Sequence, residues 1–393
     1  MKIIADQQIL HVAQAFSQLA EVTLCNGREI TAESIHEADV LLVRSVTPIN
    51  ANLLEGSQVK FVASATSGQN HIDSDYLQRN SIGFAHAKGS NARSVAEYVM
   101  SSLFVLADKH DFKLKEKTVG VIGCGEVGSR VVELFETIGV RTIMNDPPLK
   151  DTIGSNVSTG EQYRDLQELL SADIITLHVP LTEGDPYPTL KLVDADFLDK
   201  LNDDVILLNT SRGGVIDEVA LRTHLESHHN MKVVLDVWEN EPDIDIDLLT
   251  HTSIGTPHIA GYSIDGKLRA TEMIFQSMCE FFKFDATWQA VAEFSDENIP
   301  DLNMPELSLS ADIDDEDAIQ MAILASYDVR GDSAVLRCLP EINIEQRGCY
   351  FDELRKNYPV RREFPAMMIK LPGSKKILAG KLRQLGFNVK TFS

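Results

Sequence analysis

The chain has 393 residues, more than one ordinary core of about 100–200 residues accommodates, so two or three domains are expected. With 44% hydrophobic and 24% charged residues it has the make-up of a folded globular protein, not of a disordered or fibrous one. A formal net charge of −23 with no basic run repels a polyanion, so nucleic acid is not an expected partner, whereas a few arginines lining one cleft still suffice for a small anion.

In chain order, the opening MKIIADQQIL is broken by Asp6 and two glutamines, and no apolar stretch approaches about 18 residues. Neither an export signal nor a membrane span is expected, and the expected location is the cytoplasm. MKIIAD, EVTLC, DVLLVRS and KFVASATSG are short apolar or β-branched runs alternating with helix-like stretches such as QQILHVAQAFSQLA. That alternation predicts βαβ units and a parallel sheet. Residues 93–110 repeat apolar side chains at helical spacing without glycine or proline, which predicts a long helix leaving the first domain.

A second strand series follows in KTVGVIGCG, RTIMND, ADIITLHVP, DVILLNTS and MKVVLDVW, separated by amphipathic stretches such as SRVVELFETIG and EVALRTHLES. It predicts a second doubly wound unit. Beyond another helix in GKLRATEMIFQSMCEFFKF, the stretch EFSDENIPDLNMPELSLSADIDDEDA is rich in Asp, Glu and Pro with little periodicity. It reads as a linker or extended arm before a smaller α+β domain, with Asp312–Asp317 as a solvated run. Five scattered cysteines without a CxxC argue against both a disulfide framework and a zinc site, and no metal is expected.

Gly123, Gly125 and Gly128 form GxGxxG between a buried strand pattern and a helix pattern, with Glu126 and Val127 inside the motif. Glycine is needed there because the chain turns sharply, the backbone approaches a pyrophosphate and the helix N-terminus must aim free amides at it. The next strand ends in Asp146, about 20 residues on, where a carboxylate accepts from a ribose diol and repels a 2′-phosphate, so NAD is favoured over NADP. The alternative is a plain glycine corner with a solvated aspartate. The expected class is therefore α/β, with two doubly wound parallel-sheet domains, Rossmann-like and flavodoxin-like, plus the α+β C-terminal domain. The expected boundaries are 1–95 with a contribution from 262–285 for a substrate-binding domain, 96–261 for an NAD-binding domain and 286–393 for the last.

Oxidising an alcohol beside a carboxylate requires a base for the hydroxyl proton and a cation for the carboxylate. Arg212, in LLNTSRGGVID, follows a strand and stands beside two glycines, so its planar fork can reach a cleft and bind a carboxylate bidentately. Glu241 and His258 can couple as carboxylate and imidazole, the carboxylate fixing the tautomer. Taken singly, each is as easily an ordinary surface or core residue; together they follow the C-terminal ends of successive strands, where open α/β sheets bind ligands. Cys124 and His71 read as structural.

HVPLT, NTSRGGVID, LDVWENEP and TPHIAGYS, in this order behind the glycine motif and its aspartate, resemble the D-isomer-specific 2-hydroxyacid dehydrogenases over about the first 285 residues. The resemblance implies that Arg212 binds the substrate carboxylate and that Glu241 supports His258 as acid/base. It also implies cofactor contacts at Val179, Thr210, Ser211, Arg212, Asp236 and Gly261. LLVRSVTPIN, FVASATSGQNHID and the tail YDVRGDSAVLR…FDELRKNYPVRREF resemble one branch of that family, which oxidises 4-phospho-D-erythronate at C2 in vitamin B6 synthesis. That branch implies substrate contacts at Ser45, Thr66 and Tyr262 and a homodimer paired through the C-terminal domain. Phosphoglycerate dehydrogenase, or a non-catalytic NAD-sensing scaffold, stays open as an alternative. A substrate with a carboxylate and a phosphate needs two cationic poles, and Arg44, beside Ser45 at a strand end, is the candidate for the second, ahead of Arg93. The SATSGQN loop, with Gly68 and Gln69, suits an anion nest or a plain turn.

Overall fold

A computed structural model describes residues 1–153, 163–184, 186–290 and 304–392. Of the linker or arm expected over residues 293–318, residues 293–303 lie outside the described residues, and the remainder includes a strand, Glu306–Ser308, and the start of a helix, Asp315–Ser326. The chain divides into two compact units, Met1–Asn91 with Ser263–Asn303, and Ala92–Tyr262 with Met304–Ser393.

The first unit is a five-stranded parallel sheet of β1 (Lys2–Asp6), β2 (Glu21–Cys25), β3 (Val40–Val43), β4 (Phe61–Ser64) and β5 (Gly83–His86), in the order β2-β1-β3-β4-β5. The runs VLLV and FVAS are buried throughout, as strands covered on both faces must be. The order reverses between β1 and β3, so their C-terminal ends, at Asp6 and Arg44, flank the switch point. The Ile264–Phe282 helix returns to this unit and buries Leu268, Ile274, Phe275 and Met278 among Ile3, Phe16 and Phe61. It is capped by the Ser263 hydroxyl, which accepts from the Gly266 amide.

In the second unit β6 (Thr118–Ile122), β7 (Arg141–Asn145), β8 (Ile174–Leu177), β9 (Ile206–Asn209), β10 (Lys232–Leu235) and β11 (Ile254–Gly255) form a parallel sheet in the order β11-β10-β9-β8-β6-β7. β6 lies between β7 and β8, which sets the switch point at the glycine motif. The Ala92–His110 helix is buried along nearly its whole length and forms part of the core with Val119, Val121, Phe135 and Leu208.

The C-terminal segment from Met304 on groups with Ala92–Tyr262 in the second unit. The strands β12 (Glu306–Ser308), β13 (Met368–Pro372) and β14 (Asn388–Phe392) make a small parallel sheet, and Ile369, Leu371, Leu382 and Phe387 share one core with the Ala92–His110 helix. Polar contacts bind the same parts: Ser94 donates to Glu363, and the Phe364 amide to Glu97. The buried Arg361 donates to the Ser94 and Ala260 carbonyls and lies 3.6 Å over the Tyr327 ring. The acidic run is also more than a solvated face. Asp314 caps the Asp315–Ser326 helix, Asp315–Asp317 occupy its first turn where negative charge is favourable, and Lys113, Lys115 and Lys375 pair with them. Among the described residues no helix is long and apolar enough to cross a membrane.

Candidate active site

The glycine motif turns directly after β6. Gly123 has φ +86°, and a Cβ there would lie 2.8 Å from the His178 carbonyl. At Gly128 a Cβ would sit 1.9 Å from the Gly123 oxygen, so neither position admits a side chain. Gly125 differs: a Cβ there meets nothing within 4 Å, and Gly125 is the N-cap of the Glu126–Ile138 helix with no capping side chain. The loop thus keeps open space in front of a helix N-terminus, which fits a dinucleotide pyrophosphate held by backbone amides at Glu126 and Val127. Val179, after β8, packs over Gly123. Asp146 braces the loop, accepting from the Cys124 amide at 2.7 Å and the Leu149 amide at 3.0 Å, a task beyond the ribose contact expected of it. Burial, helped by Asp146, pushes the Cys124 thiol up to about 12, so it stays protonated and offers no nucleophile.

The loop after β9 is shaped by Asn209. Its Oδ1 accepts from the amide and hydroxyl of Ser211, and its Nδ2 donates to the Arg212 carbonyl. Thr210 is 3.2 Å from Nδ1 of His178, whose Nε2 is 2.9 Å from Thr176. Burial pushes His178 down to about 3, so this ring is a neutral spacer. Arg212 leaves the loop with its guanidinium largely desolvated, which lowers its pKa, while the field of Glu241 acts the other way. Proximity to Glu241 is secured at Gly213, where a Cβ would fall 2.1 Å from the Trp238 carbonyl oxygen. Only glycine lets the Arg212 loop and the Glu241 loop come so close.

The two loops after β10 and β11 are laced by Asp236, which is 1% exposed. Its Oδ1 accepts from the Thr256 hydroxyl at 2.6 Å and the Ile259 amide at 2.7 Å, its Oδ2 from the Ala260 amide at 3.0 Å, and its carbonyl from the His258 amide at 2.7 Å. This web holds His258 at φ +57°, a left-handed conformation uncommon outside glycine. Arg361 grips the same loop through the Ala260 carbonyl. So held, His258 brings Nδ1 to 2.7 Å from Oε2 of Glu241, whose Oε1 accepts from the Trp238 amide. Burial acts to raise the Glu241 carboxyl, but His258, the Trp238 amide and Arg355 outweigh it and leave it below its ordinary value. An ionised Glu241 accepts only, so Nδ1 carries the proton and the unprotonated ring nitrogen is Nε2. The second unit therefore gathers a cation, a carboxylate and an oriented imidazole beside a dinucleotide cradle.

Comparison with known proteins follows the same lines. Residues 90–260 match the family model of the D-isomer specific 2-hydroxyacid dehydrogenase NAD binding domain, and residues 299–386 match a domain of unknown function. The chain is 42% identical over 390 residues, 99% of each chain, to an erythronate-4-phosphate dehydrogenase of Hahella chejuensis. It is 40% identical over 391 residues to one of Escherichia coli, covering 99% of this chain and 98% of that one. The chain belongs to the erythronate-4-phosphate dehydrogenase family, within the D-isomer-specific 2-hydroxyacid dehydrogenases. Among solved structures, NAD-bound 3-phosphoglycerate dehydrogenase of Entamoeba histolytica shares the fold at a TM-score of 0.62 and 24% identity, over 74% of this chain and 98% of that one. D-Lactate dehydrogenase of Aquifex aeolicus, complexed with NAD and lactic acid, does so at 0.58 and 23%, over 72% and 96%.

For a member of this family the remaining expected residues fall as follows. In the first unit Ser45 is exposed beyond β3, and Arg44 donates from Nε to the fully buried Asp6 at 2.9 Å. Arg44 therefore brings an anchored, partly neutralised charge, with Lys267 close enough to feel it. Thr66 is 2.8 Å from the Ser64 hydroxyl, which also meets His71 at 3.0 Å. Burial first, then His86, pushes His71 down to about 4, in keeping with a structural role. Gln69 contacts His86, and Ser67 accepts from the Gly89 amide, so the SATSGQN loop is tied down by its own side chains. Arg93 is committed to Glu97 and the Leu385 carbonyl, which removes it as a phosphate candidate. In the second unit Gly261 and Tyr262 close the laced loop, and the Tyr262 ring meets Tyr358 edge-on at 5.7 Å.

Sequence reading missed two residues here, Asn209 and Arg355. Asn209 shapes its loop, and its strand-end position was the available signal; Asp236, expected as a cofactor contact, also laces two loops together. Arg355 had no such signal, because nothing local ties residue 355 to residue 241.

Proposed function

We propose that the chain is an NAD-dependent dehydrogenase that oxidises erythronate 4-phosphate at C2 to 3-hydroxy-2-oxo-4-phosphobutanoate, a step of vitamin B6 synthesis. The observation that carries the chemistry is the 2.7 Å contact between His258 Nδ1 and Glu241, which leaves Nε2 as the base. His258 takes the C2 hydroxyl proton on Nε2, and the imidazolium so formed is stabilised by the carboxylate already seated on Nδ1. Arg212 holds the substrate carboxylate and, being desolvated, acts at a lower effective dielectric than it would in water. Gly125 and the helix behind it hold the pyrophosphate, and Asp146, which steadies that loop, is the proposed ribose contact. Bound NAD supplies the acceptor for the C2 hydrogen. Ser45, Thr66, Arg44 and Tyr262 are the proposed substrate contacts, and Val179, Thr210, Ser211, Asp236 and Gly261 line the proposed cofactor side.

A cytoplasmic homodimer paired through the C-terminal residues is part of the same proposal. Its support is that all five cysteines are free, and that Ile344, Val360 and Ile377, 73%, 67% and 77% exposed, lie on that segment. The domain boundaries proposed are 1–95 with a contribution from 262–285, 96–261 and 286–393, with the dimer surface on the last.

The test is steady-state reduction of NAD by the purified protein with erythronate 4-phosphate and, separately, 3-phosphoglycerate. The expected kcat/KM favours erythronate 4-phosphate by on the order of 10²-fold or more, because a site built for the extra hydroxyl leaves polar groups unpaired with the shorter acid. Equal or reversed preference would remove the substrate assignment. No reduction of NAD by either acid would favour the sensing scaffold.

A further inference from the structure

Arg355 lies in the Arg347–Lys356 helix, within the segment matched by the domain of unknown function and outside the dehydrogenase model. That helix is fixed to the catalytic loops. Phe351, fully buried, sits in the core around Trp238 and Leu248, with Tyr350 and Leu354 packed beside it. At the helix start a Cβ on Gly348 would lie 2.8 Å from the Asp243 carboxylate and 3.3 Å from Pro242, so the backbone runs directly against the residues following Glu241. Arg355 is thereby carried to the catalytic pair: its charge is felt by Glu241, and its guanidinium centre lies 6.0 Å from the Tyr262 ring.

The guanidinium is hydrogen-bonded to the Tyr262 side chain and lies in the field of Glu241, but not all of its donors are used. Its ion pair with Asp352 is long, 3.9 Å, and its buried Nε has no hydrogen-bond partner among the described residues. Both Glu241 oxygens are already engaged, by His258 and the Trp238 amide. A partly desolvated arginine with an unused donor is costly unless something anionic completes it. Although Nε is buried, the side chain keeps 26% of its surface exposed, which leaves another part of it open to solvent.

We propose that Arg355 is a specificity residue, which together with the Tyr262 hydroxyl receives the phosphate of the substrate. The proposal rests on the substrate class given above and deepens it. Arg212 takes the carboxylate, His258 faces C2, and the short carbon chain carries the phosphate past the imidazole toward Tyr262 and Arg355. A guanidinium fork matches a phosphate oxygen pair, which a lone lysine does not. The C-terminal segment thus adds to a common dehydrogenase site a group that helps select a phosphorylated acid.

The experiment compares wild type, Arg355→Gln and Arg355→Lys on erythronate 4-phosphate and on unphosphorylated D-erythronate, with inorganic phosphate as competitor. Wild-type turnover of the phosphorylated acid is measured first, and its absence would defeat the substrate assignment rather than this residue's role. Given that turnover, Arg355→Gln is expected to lower the selectivity for the phosphorylated over the unphosphorylated acid roughly 10- to 100-fold, mainly through KM, and to weaken inhibition by phosphate similarly. Arg355→Lys is expected to fall between the two and covers the case in which the glutamine variant does not fold. Losses equal on both acids, or unchanged phosphate inhibition, would overturn the proposal and leave Arg355 as a support for Glu241.

Discussion

Replacing His258 by asparagine is expected to lower kcat by on the order of 10²–10⁴-fold while the protein still binds NAD. The magnitude follows from losing the one ring nitrogen free to take the hydroxyl proton, since Nδ1 is occupied by Glu241 at 2.7 Å. Asparagine is chosen for a backbone reason. His258 sits at φ +57°, which asparagine tolerates better than alanine, so the web of Asp236 hydrogen bonds survives and the loss reports chemistry rather than a displaced loop. The proposed NAD cradle, the loop from Gly123 to Gly128, is untouched by this change, and a dinucleotide titration is expected to give nearly the wild-type Kd. Near-normal turnover in this variant would remove His258 as the base.

Arg212→Ala is expected to cost about 3–6 kcal/mol of transition-state stabilisation, or on the order of 10²–10⁴ in kcat/KM, because a bidentate pair contributes two charge-assisted hydrogen bonds of about 1.5–3 kcal/mol each. Lysine is expected to recover less than roughly a tenth of that loss, since a point charge on a flexible stem does not reproduce the fork. Arg212 starts from an extended backbone on a loop fixed by Asn209 and by the Gly213–Trp238 contact, so the guanidinium is pre-positioned. The checking measurement is kcat/KM for the hydroxy acid in both variants. A lysine variant as active as wild type would show that charge alone matters and that the bidentate geometry is irrelevant.

The parts of this molecule that sequence made legible are those whose physics is local. GxGxxG between a strand and a helix is a statement about a few consecutive residues, and the structure has Gly123 and Gly128 where no side chain fits. The apolar runs from VLLV to KVVL became buried parallel strands because covered strands must be apolar on both faces. Weak local signals went unread. β5, GFAH, is a half-buried edge strand that begins with glycine, and β11 is only two residues long. The run QQILHVAQAFSQLA reads as helix-like over its whole length, yet the helix in it spans only Val12–Phe16.

Long-range contacts were out of reach of pattern reading. Arg361 and Ala260 are 101 residues apart, and the bonds from residues 361–364 to Ser94 and Glu97 span still more. Periodicity says which face of an element is buried but not against what. Sequence therefore did not reveal that the apolar faces and buried arginine of the C-terminal residues complete the core around the Ala92–His110 helix. The same limit hid Arg355, whose nearness to Glu241 depends on Phe351 and Gly348 seating a helix on distant loops.

The central claim is that Glu241 works through His258 as a single acid/base unit, and a double-mutant cycle on kcat measures this most directly. Glu241→Gln, His258→Asn and the double variant are compared with wild type on one hydroxy acid at one pH. If the carboxylate acts only by orienting and stabilising the imidazole, Glu241→Gln costs little once His258 is gone, and the double variant is no slower than His258→Asn within a factor of about three. Losses that multiply across the two positions would mean that Glu241 and His258 act independently, and the account of the site given above would be wrong.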